Sequence, residues 1–408
     1  MLLSTIIPIP KDSRKSISDS TNYRGIALSS CLGKLLDWIL IKGNSSVFSS
    51  SNLQFAYKGS SSTTQCSFVV DETINYYNQN GSGVHCIMLD ASKAFDRVNF
   101  LQLFNQLLRK GICPVLCKFL AIQYAMQKCQ VRWSNTYSKR FDVSNGVKQG
   151  GVLSPILFTI YMDVLLTRLE HSGYGCHIGN IFMGAFGYAD DVILLAPTRS
   201  AMDSLINICE DFSREYSILF NGTKSKHLFF SNKHKETKVQ FMMQGCCIPY
   251  VSQDKHLGNI IGQDKLIRSV DTAINELYIN TNLLISQFNV CDIDVKYQLF
   301  KTYCMSLYGS QLWDFSNSYC DKLFVAWRKC IRRLLGLPNT THNRLLHLIC
   351  NDINVDVQLY CRVLKFLVSC SKNPSDNVQI CFKLAQGGSI SAMSKSWGHI
   401  CRFTKCSN

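Results

Sequence analysis

No run of about 18 or more apolar residues occurs in this 408-residue sequence, so no transmembrane helix is expected. The apolar start, residues 1–10, is short, lacks a basic flank and is broken by Pro8 and Pro10, which argues against a signal peptide. No C-x-x-C pair occurs among the 20 cysteines. They are scattered, as reduced thiols packed into cores would be, and this implies a cytoplasmic or nuclear setting. His342, His347 and Cys350, and also His399, Cys401 and Cys406, approach a zinc-ligand grouping, but neither set has a familiar spacing, and packing is the better reading. Internal repeats and long low-complexity stretches are lacking too. A hydrophobic fraction of 46% excludes a disordered tail, a collagen and a small disulfide scaffold. Acids are scarce relative to bases: 28 Asp and Glu face 43 Lys and Arg, leaving a net charge of +15. That excess points to a polyanionic partner, nucleic acid ahead of an anionic membrane surface.

The length predicts two or three lobes. Serine-rich stretches at 45–51 and 60–64 read as loops flanking 53–57. A strand is predicted to end at Asp90, with Val84, Cys86 and Met88 alternating with His85, Ile87 and Leu89. Helices are expected over 100–110, stopped by Gly111, and over 154–171, with Pro155 in the first turn. Residues 185–196 read as a hairpin around Asp190-Asp191. In the next helix Met202, Leu205, Ile206, Cys209, Phe212 and Tyr216 share one face. Single strands are predicted at 226–231 and 256–261, and the chain reads as mostly helical from about 264. The fold class is α+β, an antiparallel sheet with helices packed on one side.

Three acids stand where acids are costly. Asp90 closes an apolar strand, and Asp190 and Asp191 lie between two others. Adjacent carboxylates in low-dielectric surroundings repel and resist ionisation, and a divalent cation removes both penalties. Mg²⁺ suits such hard oxygen ligands. Successive strand residues point to opposite faces, so Asp190 is assigned as the central ligand and Asp191 as a peripheral one. Tyr188-Ala189-Asp190-Asp191 alone is a weak signal, since Asp is a common turn residue. It gains weight from Asp90-Ala91-Ser92-Lys93-Ala94-Phe95-Asp96 upstream. Between the two lies the glycine-rich stretch 146–155, which feeds a helix N-terminus.

Taken together, these motifs resemble the reverse transcriptases of non-LTR (LINE-type) retrotransposons. Leu89-Asp90 with Phe95-Asp96 is similar to the family's first metal-binding motif. Gly146, Gln149-Gly150 and Leu153-Ser154-Pro155 resemble its template and nucleotide loop, and Tyr188–Asp191 its second metal-binding motif. Upstream, Ile7–Lys11, Asn22–Ile26 and Gln54–Gly59 resemble fingers elements. Downstream, Phe220–Lys226 and His256-Leu257-Gly258 resemble the leaving-group lysine motif and the primer-grip strand. The resemblance covers about residues 5 to 262. Gly25 departs from the usual Pro, and Gly151 from the usual Cys or Asp. The motifs begin so early that an N-terminally truncated element is expected, without the upstream endonuclease, and no RNase H carboxylate set is recognisable.

The resemblance implies a right-hand polymerase: fingers and palm over 1–262, a helical thumb over 263–340, and a C-terminal helical region over 341–408. It implies RNA-directed DNA synthesis from dNTPs on an RNA template and DNA primer, with no membrane involved. Two Mg²⁺ ions, or Mn²⁺ as a substitute, would be held by Asp90, Asp190 and Asp191. Lys11 and Arg24 would hold the triphosphate, and Lys224 would stand near the leaving group. The plainer reading of each is a solvated charge. Gln149 would lie against the template base or nucleotide, or else make a turn hydrogen bond. Tyr188 would touch the primer end or serve as a core aromatic, and Asp96 would cap the following helix. Phe95 would crowd a ribose 2′-hydroxyl, which disfavours an RNA-making polymerase. In the helix after Asp321, Arg328 with Arg332, and Lys329 with Arg333, are i,i+4 like-charge pairs opposite an apolar stripe. Arg328, Arg332 and Arg333 are therefore expected on the nucleic-acid backbone, with a solvated face as the alternative. A second reading of the whole chain is a retrotransposon remnant that binds RNA without polymerising.

Overall fold

The N-terminal strands β1 (Leu3–Pro10) and β2 (Tyr23–Leu28) form an antiparallel pair in which Ile9 stands opposite Arg24. The strand Lys128–Trp133 adds parallel to β1. This computed structural model describes residues 3–231 and 239–404. Helix α1 (Cys31–Gly43) follows, capped by the Ser30 hydroxyl, and then α2 (Thr63–Gln79), capped by Ser62.

The central sheet is built on four strands, β3 (Val84–Leu89), β4 (Ala185–Tyr188), β5 (Asp191–Ala196) and β6 (Lys226–Phe230). Their order is β4-β5-β3-β6, antiparallel throughout. Every residue from Val192 to Ala196 is buried. Successive side chains alternate between faces, so both faces of this sheet are covered. Helix α2 meets β3 and β4, α3 (Ser154–Glu170) meets β4, and α4 (Arg199–Tyr216) meets β5. The predicted stripe of α4, Met202 to Tyr216, is wholly buried. Each such side chain is worth roughly 1.5–3 kcal/mol when fully buried.

Residues 256–261 differ from the single strand expected there. They do not form one strand but the turn of a hairpin between β7 (Gln253–His256) and β8 (Asn259–Gly262). Leu257 and Gly258 both take the left-handed region, φ +48° and +82°, which matches the twist of a two-residue hairpin. Beyond it lie the helices α5 (Lys265–Gln287), α6 (Asp321–Leu334), α7 (Val355–Ser371) and α8 (Asp376–Gln386).

The last helices return to α2. Phe366 of α7 packs edge-on against Phe68 of α2, with ring centroids 5.4 Å apart. Asn373 Nδ2 donates to Ser60 O (2.6 Å) and Gln65 Oε1 (3.3 Å), and Asn377 Nδ2 donates to Phe182 O (2.7 Å). Glu72 of α2 is sealed beneath this contact, 2% exposed. Burial pushes its carboxyl up to about 8, with the Asp71 charge adding to the shift and Ser391 and Lys265 opposing it. The folded chain therefore keeps a proton that the unfolded chain releases near its ordinary value of 4.5. Folding takes up that proton, so the Glu72 contribution to stability falls as pH rises between those values, by at most about 1.4 kcal/mol per pH unit. Glu72→Gln should gain stability relative to wild type as pH rises from 5 to 8. Urea midpoints at the two pH values check this; a constant difference between the proteins would refute it.

Candidate active site

The turn that carries Asp190 is a two-residue hairpin loop, Ala189-Asp190, closed by the Tyr188–Asp191 pair. Ala189 takes φ +58°, and its N–H is donated to Gln54 Oε1 at 3.0 Å. The same oxygen accepts from Ala56 N–H at 3.1 Å. Gln54 is 1% exposed, so this amide is a buried anchor for the turn. The backbone around it is zipped to β4: Phe55 N–H donates to Gly187 O, and Gly187 N–H to Leu53 O. A Cβ at Gly187 would press on Leu166 and on Gln54 Nε2, at 3.0 and 3.1 Å, so glycine lets the two segments close. Sequence reading placed Gln54 in a fingers motif but gave it no role.

Asp90 follows the last residue of β3. Its carbonyl accepts from Asn221 N–H at 2.8 Å, and its N–H donates to Ser225 Oγ at 3.1 Å. Leu89 pairs with Val192, so one further step along the ladder brings Asp191 beside Asp90. The three carboxylates feel one another. Burial, reinforced by the Asp90 charge, raises the Asp190 carboxyl, while the Arg24 guanidinium pulls it down. Asp191 reaches solvent on its outer side, yet the protein crowding it, with Asp190 and Asp90 beside it, pushes its carboxyl up to about 6. Hard oxygen donors whose repulsion a cation would relieve fit Mg²⁺. No three His, Cys, Asp or Glu side chains among the described residues converge closely enough to enclose an ion. The fit is therefore to an open site, with water and phosphate oxygens as the remaining ligands.

Phe95 is half-buried and stacks on Phe158 of α3, centroids 4.2 Å apart and planes 13° from parallel. The glycine-rich loop is laced around it. Val147 N–H donates to Phe95 O, Gly146 N–H to Val98 O, and Ala27 N–H to Gln149 O. At Gly150, φ +106°, a Cβ would lie 2.9 Å from Ala27 O, so the loop can approach β2 only as glycine. Gln149 Nε2 donates to Asp96 Oδ1 at 3.3 Å. Asp96 thus partners Gln149, and the expected helix cap is made instead by Asn99, whose side chain accepts from Gln102 N–H.

The reverse transcriptase (RNA-dependent DNA polymerase) family profile matches residues 9–248. The chain belongs to the reverse transcriptase family. The Pol polyprotein of the type-2 retrotransposable element R2DM of Drosophila melanogaster is 30% identical over 207 residues, 50% of this chain and 19% of that one. The probable RNA-directed DNA polymerase from the X-element transposon of the same fly is 23% identical over 350 residues, 81% of this chain and 37% of that one. The polymerase of the mobile element jockey from Drosophila funebris is 21% identical, covering 82% and 38%. This reverse transcriptase is thus of the non-LTR retrotransposon type, and it spans well under half the length of these relatives. Among solved structures, apo telomerase from Candida tropicalis superposes with TM-score 0.43 at 13% identity, over 99% of this chain and 68% of that one. The fold class is the α+β right-hand polymerase.

Elsewhere in the reverse transcriptase the candidates fare unequally. Arg24 is exposed, has no ion pair among the described residues and acts on Asp190. Lys11 Nζ is tied to Thr21 O at 2.9 Å beside it, at the end of the β1–β2 pair. Lys224 is exposed on the turn that Asn221 organises. Arg332 is not the free cation that was expected: its guanidinium donates to Thr341 O and Asn343 Oδ1. Arg333 donates to Asn282 Oδ1. Arg328 alone of the three has no side-chain partner among the described residues. His342 caps the helix at Asn343, and His399 meets the Tyr360 hydroxyl. Cys406 lies outside the described residues.

Proposed function

We propose that this chain copies RNA into DNA, joining dNTPs to a primer 3′-hydroxyl by two-metal phosphoryl transfer. The observation that carries this reading is the meeting of Asp90, Asp190 and Asp191 at one end of the palm sheet, with Arg24 acting on Asp190. Asp90 and Asp190 would be the principal holders of two divalent ions, Mg²⁺ or Mn²⁺, with Asp191 peripheral. Such ions, when bound, lower the pKa of the attacking hydroxyl and neutralise the departing pyrophosphate. The chain's own groups do the rest. Arg24 grips the triphosphate with its planar fork, and Lys11 adds a point charge. Lys224 stands by the leaving group. Phe95 lies under the incoming sugar. Gln149, oriented by Asp96, reaches the nucleotide or template. Primer extension on an RNA template with dNTPs and Mg²⁺ tests the proposal; RNA binding without extension would select the remnant that only binds RNA.

Template–primer affinity should fall steeply with salt, because it rests on basic residues that displace counterions. Replacing Arg328, Arg332 and Arg333 together by Ala is expected to flatten that slope by about one unit per lost phosphate contact. Arg328→Ala alone should account for most of the change, since the other two guanidinia already hold protein oxygens. Filter-binding titrations at several salt concentrations read it out, and an unchanged slope in the triple variant would make the helix a solvated face.

A further inference from the structure

One tyrosine ties the helical C-terminal part of the chain to the β7–β8 turn and to α2. Tyr308 lies in the loop after Cys304, 53% exposed. Its ring lies against the hairpin turn, where a Cβ on Gly258 would come 2.8 Å from Tyr308 Cε1. Its hydroxyl donates to Leu257 O at 2.9 Å, which leaves Thr63 Oγ1, 2.6 Å away, as the donor to it. Thr63 opens α2, which packs against β4, the strand that leads into the Ala189-Asp190 turn.

The turn needs such a tie. Leu257 sits at φ +48°, where a bulky side chain is strained. The loop that brings Tyr308 is itself fixed from both ends. Arg362 of α7 donates to Met305 O (2.6 Å) and Ser306 O (2.8 Å). Gly309, at φ +76°, presses so closely on Asn259 that no Cβ fits, and Asn259 Nδ2 donates to Ser67 Oγ of α2 at 3.0 Å.

We propose that Tyr308 is a positioning residue for polymerisation: held by Arg362, it fixes the Leu257–Gly258 turn against α2, the helix packed on the strand that leads into the Asp190 turn, and so sets where the primer end lies. The proposal rests on the polymerase reading above. An exposed hydroxyl of this kind adds little to global stability, but misplacing reacting atoms by about 1 Å can slow a reaction by roughly 100-fold.

Tyr308→Phe keeps the ring and removes only the bridge. At saturating dNTP, its single-turnover rate for the first addition is expected to fall about 10-fold or more. Its template–primer Kd should stay within about twofold, because affinity comes from the basic surface. Thr63→Val should act in the same direction and add little to Tyr308→Phe, as partners in one bridge do. Amide exchange at Leu257 and Asn259 of the free protein should quicken in Tyr308→Phe while its melting temperature barely moves. A wild-type rate, or unchanged exchange at the turn, would overturn the assignment. An inactive wild-type chain would instead remove the polymerase reading, and the exchange measurement would still decide whether Tyr308 holds the turn.

Discussion

Asp190→Ala is expected to eliminate RNA-templated extension while leaving template–primer affinity within about twofold. The carboxylate sits in the turn that Gln54 anchors, within reach of both Asp90 and Arg24. Removing it takes away charge that matters when pyrophosphate leaves, and little that the resting complex needs. Asp90→Ala should do the same. Its backbone is pinned by Asn221 and Ser225, so the truncation leaves the sheet end in place. Asp191→Ala should impair extension by less, since its side chain begins β5 on the solvent side. Single-turnover extension and equilibrium binding on the same preparations separate the two effects. Appreciable Mg²⁺-dependent synthesis by Asp190→Ala would remove the carboxylate from the chemistry.

These acids were legible because the sequence put charge where an apolar sheet penalises it. The α4 stripe was legible because helical spacing is local. What stayed hidden depends on distant partners. Gln54 touches the turn across 135 residues, and nothing near it in sequence marks the contact. Ser225 is equally remote from Asp90. The β7–β8 turn was missed because a leucine occupies a left-handed position that Asn or Gly usually signals. Gly258 was the one local hint. Asp96 looked like a cap because Asp commonly caps helices; its bond to Gln149 joins residues 53 positions apart.

Phe95→Val should cost the protein most of its discrimination against ribonucleotides, on the order of 10–200-fold, while dNTP incorporation persists. The ring is stacked on Phe158, and Val147 N–H is held to the Phe95 carbonyl, so its position is set by the core and by the loop together. A phenyl group fixed on one face offers a rigid wall on the other, and it can neither yield to a 2′-hydroxyl nor hydrogen-bond it. Valine shortens the wall without disturbing Asp90. Loss of the stack should also lower the melting temperature somewhat, as large-to-small changes in partly buried sites do. Competing dNTP and rNTP incorporation by folded protein distinguishes the outcomes. Unchanged discrimination with lower stability would make Phe95 an anchor of the core only.

The return of α7 and α8 to α2 bears on how this protein comes into being. Asn373 closes onto Ser60 and Gln65 across more than 300 residues of chain. As the polypeptide leaves the ribosome, α2 waits with one flank bare until the segment some 300 residues after it has been made. Long-range closure of this kind is slow, and the exposed flank is open to misassembly in the interval. A chain released before residue 366 would lack both Phe366, which packs on Phe68, and Cys381, whose thiol meets the Val69 carbonyl. The contact over α2 is therefore complete only once residue 381 has been made, and a product interrupted before it would betray itself to cellular quality control by an uncovered apolar helix.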